Sequence, residues 1–192
     1  MLSVQTRKDQ IYEVAERLFS ERGYHATTMR EIARQLAIEG GSLYSHISGK
    51  HELLYAIVLR GSEQFLQSAR DAISATGSAR ARLRELMRRH LAIMAASTPR
   101  AIVHFHEWRH LGPEHQATIR ARRDQYEASV RQIIHDGVVA GEFAPQDERL
   151  VGLALLSLLN WTYQWYAPGG TWNAHELADQ FFDLLTRGLE PR

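Results

Sequence analysis

Apolar residues recur at spacings of three and four along the whole chain, while the alternation typical of strands is almost absent. This pattern predicts an all-α protein. The apolar stripe of the first helix consists of Ile11, Val14, Ala15, Leu18 and Phe19. Gly23 is expected to end this helix, as glycine commonly does just past a helix C-terminus.

Turn-forming residues divide the remaining chain, so that we expect about nine helices in all. After an N-terminal group, the predicted helices are 50–73, 80–97, 100–111, 114–140, 146–167 and 173–188. The helix 146–167 is apolar all round, which predicts burial on every side. In a chain of this size, one side is expected to face its own domain and the other a second subunit.

Residues 27–54, called the reader segment below, are predicted to form two short helices, a tight turn and the start of a third helix. Thr28 and Glu31 have the spacing of a capping box, and a turn around Ala37–Glu39 leads into a brief glycine-rich helix at 40–46. Two short helices joined in this way can place the second one in a DNA major groove. The alternative is an ordinary helical hairpin, but Gly40 and Gly41 favour close backbone approach to a partner.

Composition narrows the possible functions. The 192 residues are 44% hydrophobic and 23% charged, as in a soluble globular protein, and the absence of cysteine excludes disulfides and thiol nucleophiles. No apolar run approaches the roughly 18 residues of a membrane span, and no signal-peptide core follows the N-terminus, so we expect a cytoplasmic protein. No phosphate-binding glycine loop or nucleophile elbow indicates an enzyme.

Charge is unevenly distributed along the chain. Residues 1–60 contain eight Lys/Arg and seven Asp/Glu, residues 61–140 twelve and eight, and residues 141–192 three and seven. The nearly neutral N-terminal part must therefore rely on a few well-placed phosphate contacts if it binds DNA. The basic middle is either a solvated face or part of a receptor for an anion.

The run GY…TTMREIA…GGSLYSHISGKHELL resembles the DNA-binding segment of the TetR family of bacterial regulators, over about residues 7–58. The resemblance implies a homodimeric repressor that binds a palindromic double-stranded operator. It implies a helix-turn-helix DNA-binding domain at 1–50 and a helical ligand-binding and dimerisation domain at 51–192. The residues it places at phosphates or the groove are Thr28, Gly41, Ser42, Tyr44, His46 and Lys50. Ile47 and His51 depart from the usual aromatic and acidic residues of the family.

Aromatic and arginine side chains are concentrated in the later helices. As a set they suit an elongated anionic ligand with an apolar end, although core or dimer packing explains any single aromatic residue equally well. The candidates are Phe105, Trp108, Arg109, Arg123, Tyr126, Asn160, Trp161, Gln164 and Trp165. The sequence HEWRHL…NWTYQWYAPGG resembles those of the TetR branch that responds to acyl-CoA thioesters. That resemblance implies an acyl-CoA inducer and no resident cofactor, and the alternative is another hydrophobic molecule or drug.

Two further hypotheses concern metal binding and assembly. His106 and His110 are four residues apart, a spacing that can hold zinc, but no third ligand is evident and we expect no metal site. A pure protein-interaction module is a further alternative, although it would not require the reader segment. For a homodimer, the predicted interface residues are Leu155, Leu158, Phe181, Leu184 and Leu185.

Overall fold

A computed structural model describes residues 6–187, and within them it contains nine α-helices and two short 3-10 turns but no strand. The helices are α1 Arg7–Arg22, α2 Met29–Gln35, α3 Gly40–Tyr44, α4 Lys50–Ser74, α5 Ala79–Ala96, α6 Thr98–His106, α7 Pro113–Val139, α8 Glu148–Trp161 and α9 Ala174–Arg187. The predicted all-α fold is thus confirmed. None of the helices in this range has the length and apolarity needed to cross a membrane.

Local signals place most helix ends correctly. Gly23 follows α1 with a φ of 84°, and Thr28 caps α2 in a capping box with Glu31. Helix α6 begins two residues before its predicted start, because Pro99 lies in the first turn, where its missing N–H is not needed. The predicted helix 146–167 ends at Trp161 and continues as a 3-10 turn, Thr162–Gln164. Residue 188, the predicted end of the last helix, lies outside the described residues.

The chain divides into two compact units. The first runs to Ser62 and includes Thr98–Ile119, and the second comprises Glu63–Ser97 and the chain from Arg120 onward. Helices α4 and α7 contribute residues to both units. The predicted domain boundary at residue 50 concerns function. It stays a prediction, because the two units are defined by contacts between residues and not by function.

An apolar cluster fills the first unit. Residues of α1, α2, α3, α4 and α6 contribute to it, and Phe19, Ile32 and Leu43 are fully buried there. Ile47, which replaces the usual aromatic residue of the family, is only 4% exposed and fills the core. Arg100 Nε donates to the buried Glu16 carboxylate at 2.8 Å, which ties α6 to α1. The segment containing α6 therefore folds with the reader segment although it is distant in sequence.

Within the protomer, helix α8 is buried on one face only, and the predicted cover of its other face by a second subunit stays a prediction. Leu155 is 1% exposed, whereas Leu150 and Trp161 are 65% and 62% exposed within the protomer. Its own unit therefore covers one face and leaves an apolar face uncovered. The sequence pattern could not separate these two faces because both carry apolar residues.

Gly61 allows α4 and α6 to approach each other. A Cβ at this position would lie 2.9 Å from the Nδ1 atom of buried His104, which also lies 3.2 Å from the Val58 carbonyl oxygen. Nothing lies within 4 Å of a Cβ added at Gly41. Packing therefore disfavours a larger side chain at Gly61 but not at Gly41.

Gly61→Ala is expected to lower the free energy of unfolding by about 1–3 kcal/mol, because the added methyl group overpacks His104. Urea unfolding checks this, and Gly41→Ala is the matched control. The control has open space and gains helix propensity, so its stability should stay equal or rise by up to about 1 kcal/mol. Equal stability of Gly61→Ala and the parent would show that α4 and α6 do not need this close approach.

Candidate nucleic-acid interface and effector region

The short helix α3 has one buried face and one exposed face. Leu43 is fully buried against the core, and this anchors the helix. The residues predicted to face the groove are exposed: Thr28, Gly41, Ser42, Tyr44 and His46. Tyr44 is 55% exposed, which is unusual for a ring of its size. The structure thus leaves these side chains accessible to a partner such as DNA.

Lys50, a predicted phosphate contact, is half-buried and has several partners within the protein. Its ammonium group donates to the carbonyl oxygens of Tyr24 at 3.0 Å, His25 at 3.4 Å and Thr27 at 2.9 Å. It also lies 4.3 Å from the centre of the Tyr24 ring, a cation–π contact. Through these internal partners Lys50 closes the α1–α2 turn that leads into the Thr28 cap. Its predicted contact with a DNA phosphate stays a prediction.

The 3-10 turn Glu107–His110 holds the same α1–α2 turn from another side. The Tyr24 N–H donates to Glu107 Oε2 at 3.0 Å, and His25 Nε2 lies 3.0 Å from His110 Nδ1. The rings of Tyr24 and His110 are stacked at 5.7 Å. The turn therefore has partners both at the start of α4 and in a segment more than 80 residues away.

His51 has a structural partner as well. The Gly112 N–H donates to His51 Nε2 at 3.1 Å, and His115 stacks on Tyr55 with ring centres 3.7 Å apart. An acidic residue at position 51 could also accept this bond, so the departure from the family pattern preserves the acceptor.

The histidines do not assemble a metal site. Within residues 6–187, no group of three or more His, Asp or Glu side chains is placed to hold a metal ion. His110 is engaged with His25 and lies 3.5 Å from Glu107. The zinc hypothesis for His106 and His110 therefore has no support in the described geometry.

Several arginines of the middle segment have carboxylate partners within the protein. Arginines of α5 face carboxylates of α9 and of other helices in the second unit. The ion pairs are Arg84–Asp183 at 3.1 Å, Arg88–Asp179 at 2.5 Å, Arg82–Asp136 at 2.8 Å and Arg89–Asp71 at 2.9 Å. The Arg88 guanidinium, through its hydrogen bonds, lowers the pKa of Asp179. Arg84 and Arg88 thus pair the basic middle segment with the acidic C-terminal segment, whereas the partners of Arg82 and Arg89 lie within the middle segment itself.

The nine predicted effector residues are divided between the two compact units, and their common role stays a prediction. Phe105, Trp108 and Arg109 belong to the first unit, where Trp108 packs against the apolar cluster. The other six belong to the second unit. Among these, Trp161 and Trp165 are 62% and 48% exposed, so they do not line an enclosed site within the protomer.

Tyr126 is the predicted effector residue with the clearest buried environment. It is 7% exposed, and its hydroxyl lies 2.9 Å from Nδ1 of His90, which is itself 1% exposed. Burial raises the pKa of Tyr126, while a hydrogen bond with Ser68 acts in the opposite direction. Sequence reasoning missed His90. Its only signal was a position on the apolar face of α5, where Leu83, Leu86 and Met87 are buried.

A separate cavity of about 380 Å³ lies among α5, α7, α8 and α9 of the second unit. Its walls are mainly apolar and include Leu83, Val138, Leu155 and Leu185. None of the nine predicted effector residues lines it. We therefore do not place the effector there.

Two family matches cover most of the chain. Residues 11–57 match the family described as bacterial regulatory proteins, tetR family, and residues 76–189 match the tetracyclin repressor-like C-terminal domain. These ranges include the reader segment and nearly all of the second unit.

Individual proteins extend this similarity over the whole chain. The HTH-type transcriptional repressor KstR2 of Mycobacterium tuberculosis is 26% identical over 189 residues, which are 97% of this chain and 94% of that protein. The TetR family regulator PfmR from Thermus thermophilus is 34% identical with a TM-score of 0.90, covering 95% of this chain and all of that one.

AibR was solved in complex with isovaleryl coenzyme A and operator DNA. It is 28% identical with a TM-score of 0.84, covering 94% of this chain and 98% of that chain. Since the C-terminal match alone spans more than half of the residues and the N-terminal match contains the reader segment, the chain belongs to the TetR family of DNA-binding transcriptional regulators.

Proposed function

We propose that this protein is a repressor that binds a palindromic operator as a homodimer and is released from it by an acyl-CoA thioester. The exposed face of α3 over the buried Leu43 anchor supports the operator part of the proposal. Likeness to AibR, which was solved with isovaleryl coenzyme A and operator DNA, supports the effector part. KstR2, a repressor of similar length, supports repression.

For operator binding, we assign direct contacts to the exposed residues of the reader segment. These are Thr28, Gly41, Ser42, Tyr44 and His46. Lys50 is a positioning residue, because it holds the turn from which the Thr28 cap and α2 begin. Since the segment carries little net charge, the fit of the backbone and of a few polar side chains must supply much of the affinity.

For the homodimer, we assign the uncovered apolar face of α8 and the neighbouring part of α9. Leu150, Leu153 and Leu184 are 65%, 42% and 41% exposed, and a partner subunit would remove them from water. Leu155 is buried inside the protomer, so it cannot be part of this surface. The other predicted interface residues, Leu158, Phe181 and Leu185, are half-buried and would lie at its inner edge.

For the effector, we assign the core of the second unit around Tyr126. Arg123 lies one turn before Tyr126 on α7 and is half-buried, as is Asn160 on α8. The effector acts by binding more tightly to the conformer whose two readers are wrongly spaced for the operator. A spacing near 34–36 Å, about one DNA turn, is what a dimer of this kind requires.

Lys50→Met should weaken operator binding about tenfold and lower the free energy of unfolding by roughly 1–3 kcal/mol, because the carbonyl oxygens of the α1–α2 turn lose their charged donor. The slope of log affinity against log salt should stay unchanged. Fluorescence anisotropy at several salt concentrations measures the affinity and its slope, and urea unfolding measures the stability. Lys8→Met, which removes an exposed lysine of α1, is the stability control. A slope reduced by about 0.9 in Lys50→Met would make Lys50 a phosphate contact after all.

Leu153→Asp combined with Leu184→Asp should convert the protein to a monomer at micromolar concentration, since two carboxylates would be buried in the interface. Sedimentation velocity measures this. Val139→Asp changes an apolar residue that is 74% exposed but outside α8 and α9, so the control should sediment as the parent does. A dimer that survives the double substitution would refute the assigned surface.

An acyl-CoA at 100 times its Kd should stabilise the protein by about 2.7 kcal/mol, raising Tm by several degrees, and should release labelled operator. A thermal-shift panel of acetyl-, isovaleryl-, octanoyl- and palmitoyl-CoA tests this, with free fatty acids and zinc as controls. A response to the free acids alone would indicate another hydrophobic effector. No response to any thioester would overturn the acyl-CoA proposal.

A further inference from the structure

His90 is a buried imidazole with only one of its two nitrogen atoms satisfied. Nδ1 lies 2.9 Å from the Tyr126 hydroxyl, whereas buried Nε2 has no hydrogen-bond partner among the described residues. The Phe65 ring lies 4.6 Å from the imidazole, centre to centre. Folded proteins rarely leave such an atom unpaired, because the loss of its hydration costs about 1–3 kcal/mol.

The imidazole is neutral at physiological pH. Burial lowers the pKa of His90 to about 3, since a charged ring would be poorly solvated there. A neutral imidazole has one N–H donor and one acceptor nitrogen. The role of the unpaired Nε2 atom therefore depends on which nitrogen carries the proton.

The contact with Tyr126 decides this tautomer. The phenol has one proton to donate, and its possible acceptors are the imidazole nitrogen and the hydroxyl of Ser68. An imidazole nitrogen is a much stronger base than an aliphatic hydroxyl, so the phenol donates to Nδ1. The ring proton then resides on Nε2, which becomes a buried donor without an acceptor.

We infer that the Nε2–H of His90 donates a hydrogen bond to a neutral carbonyl oxygen of the bound effector, the thioester carbonyl of an acyl-CoA. This inference rests on the proposed acyl-CoA response and adds the group that binds the carbonyl end of the acyl chain. A neutral carbonyl suits the site because burying a carboxylate costs far more than burying a carbonyl.

Met94 is a buried, flexible side chain on the same face of α5 as His90. It lies one turn beyond His90 on α5, is 5% exposed and has its sulfur 3.8 Å from the Thr162 hydroxyl. Methionine has three rotatable bonds and adapts readily to new neighbours. A change of its rotamer would make room on this face of α5 without displacing the helix backbone.

The experiment compares each acyl-CoA of the panel with the S-alkyl-CoA thioether of the same chain length, which lacks only the carbonyl oxygen. In the parent protein, the thioester that binds tightest should bind about tenfold more tightly than its thioether, as measured by calorimetry. In His90→Phe, the two ligands should bind equally. Tyr126→Phe, which removes the group that orients the imidazole, should reduce the preference.

The double variant His90→Phe with Tyr126→Phe guards against a folding failure. Replacing both partners by apolar rings of similar shape should leave the urea midpoint unchanged or higher, while the thioester preference disappears. Equal binding of thioester and thioether by the parent would overturn the role of His90 and leave the acyl-CoA response standing. Failure of every thioester to bind would overturn both proposals. If His90→Phe still binds the thioester more tightly than the thioether, another group binds the carbonyl oxygen.

Discussion

The arrangement of the reader segment depends on one ammonium group, that of Lys50. It donates to three carbonyl oxygens of the α1–α2 turn, those of Tyr24, His25 and Thr27. The Thr28 cap, the start of α2 and hence the placement of α3 all follow from that turn. Because Glu107 and His110 hold the same turn through Tyr24 and His25, residues outside the reader segment share control of its geometry.

Charge has a structural role in the second unit. Arginines of α5 and aspartates of α9 are about 100 residues apart in sequence, yet they pair across adjacent helices. These pairs are partly exposed, so each contributes modestly to stability, but together they fix the register of α5 against α9.

Unlike the arginine–aspartate pairs, the buried pair of His90 and Tyr126 leaves one nitrogen atom without a hydrogen-bond partner among the described residues. A fully apolar core at this place would avoid the cost of that buried nitrogen atom, so the pair lowers the free energy of unfolding. Such a cost is typical of sites whose polar group is satisfied only when a ligand is bound. In the proposed mechanism this is useful, because a ligand that satisfies the donor gains differential affinity for one conformer.

The sequence by itself determined the all-α fold, the capping box at Thr28, the Gly23 stop and the reader segment, because each depends on neighbours within a few residues. Tertiary structure alone decided that Lys50 faces carbonyl oxygens, that Leu155 is buried while Leu150 is exposed, and that His90 lies beside Tyr126. These outcomes depend on which helices pack together, and residues far apart in sequence reveal their partners only when the chain has folded.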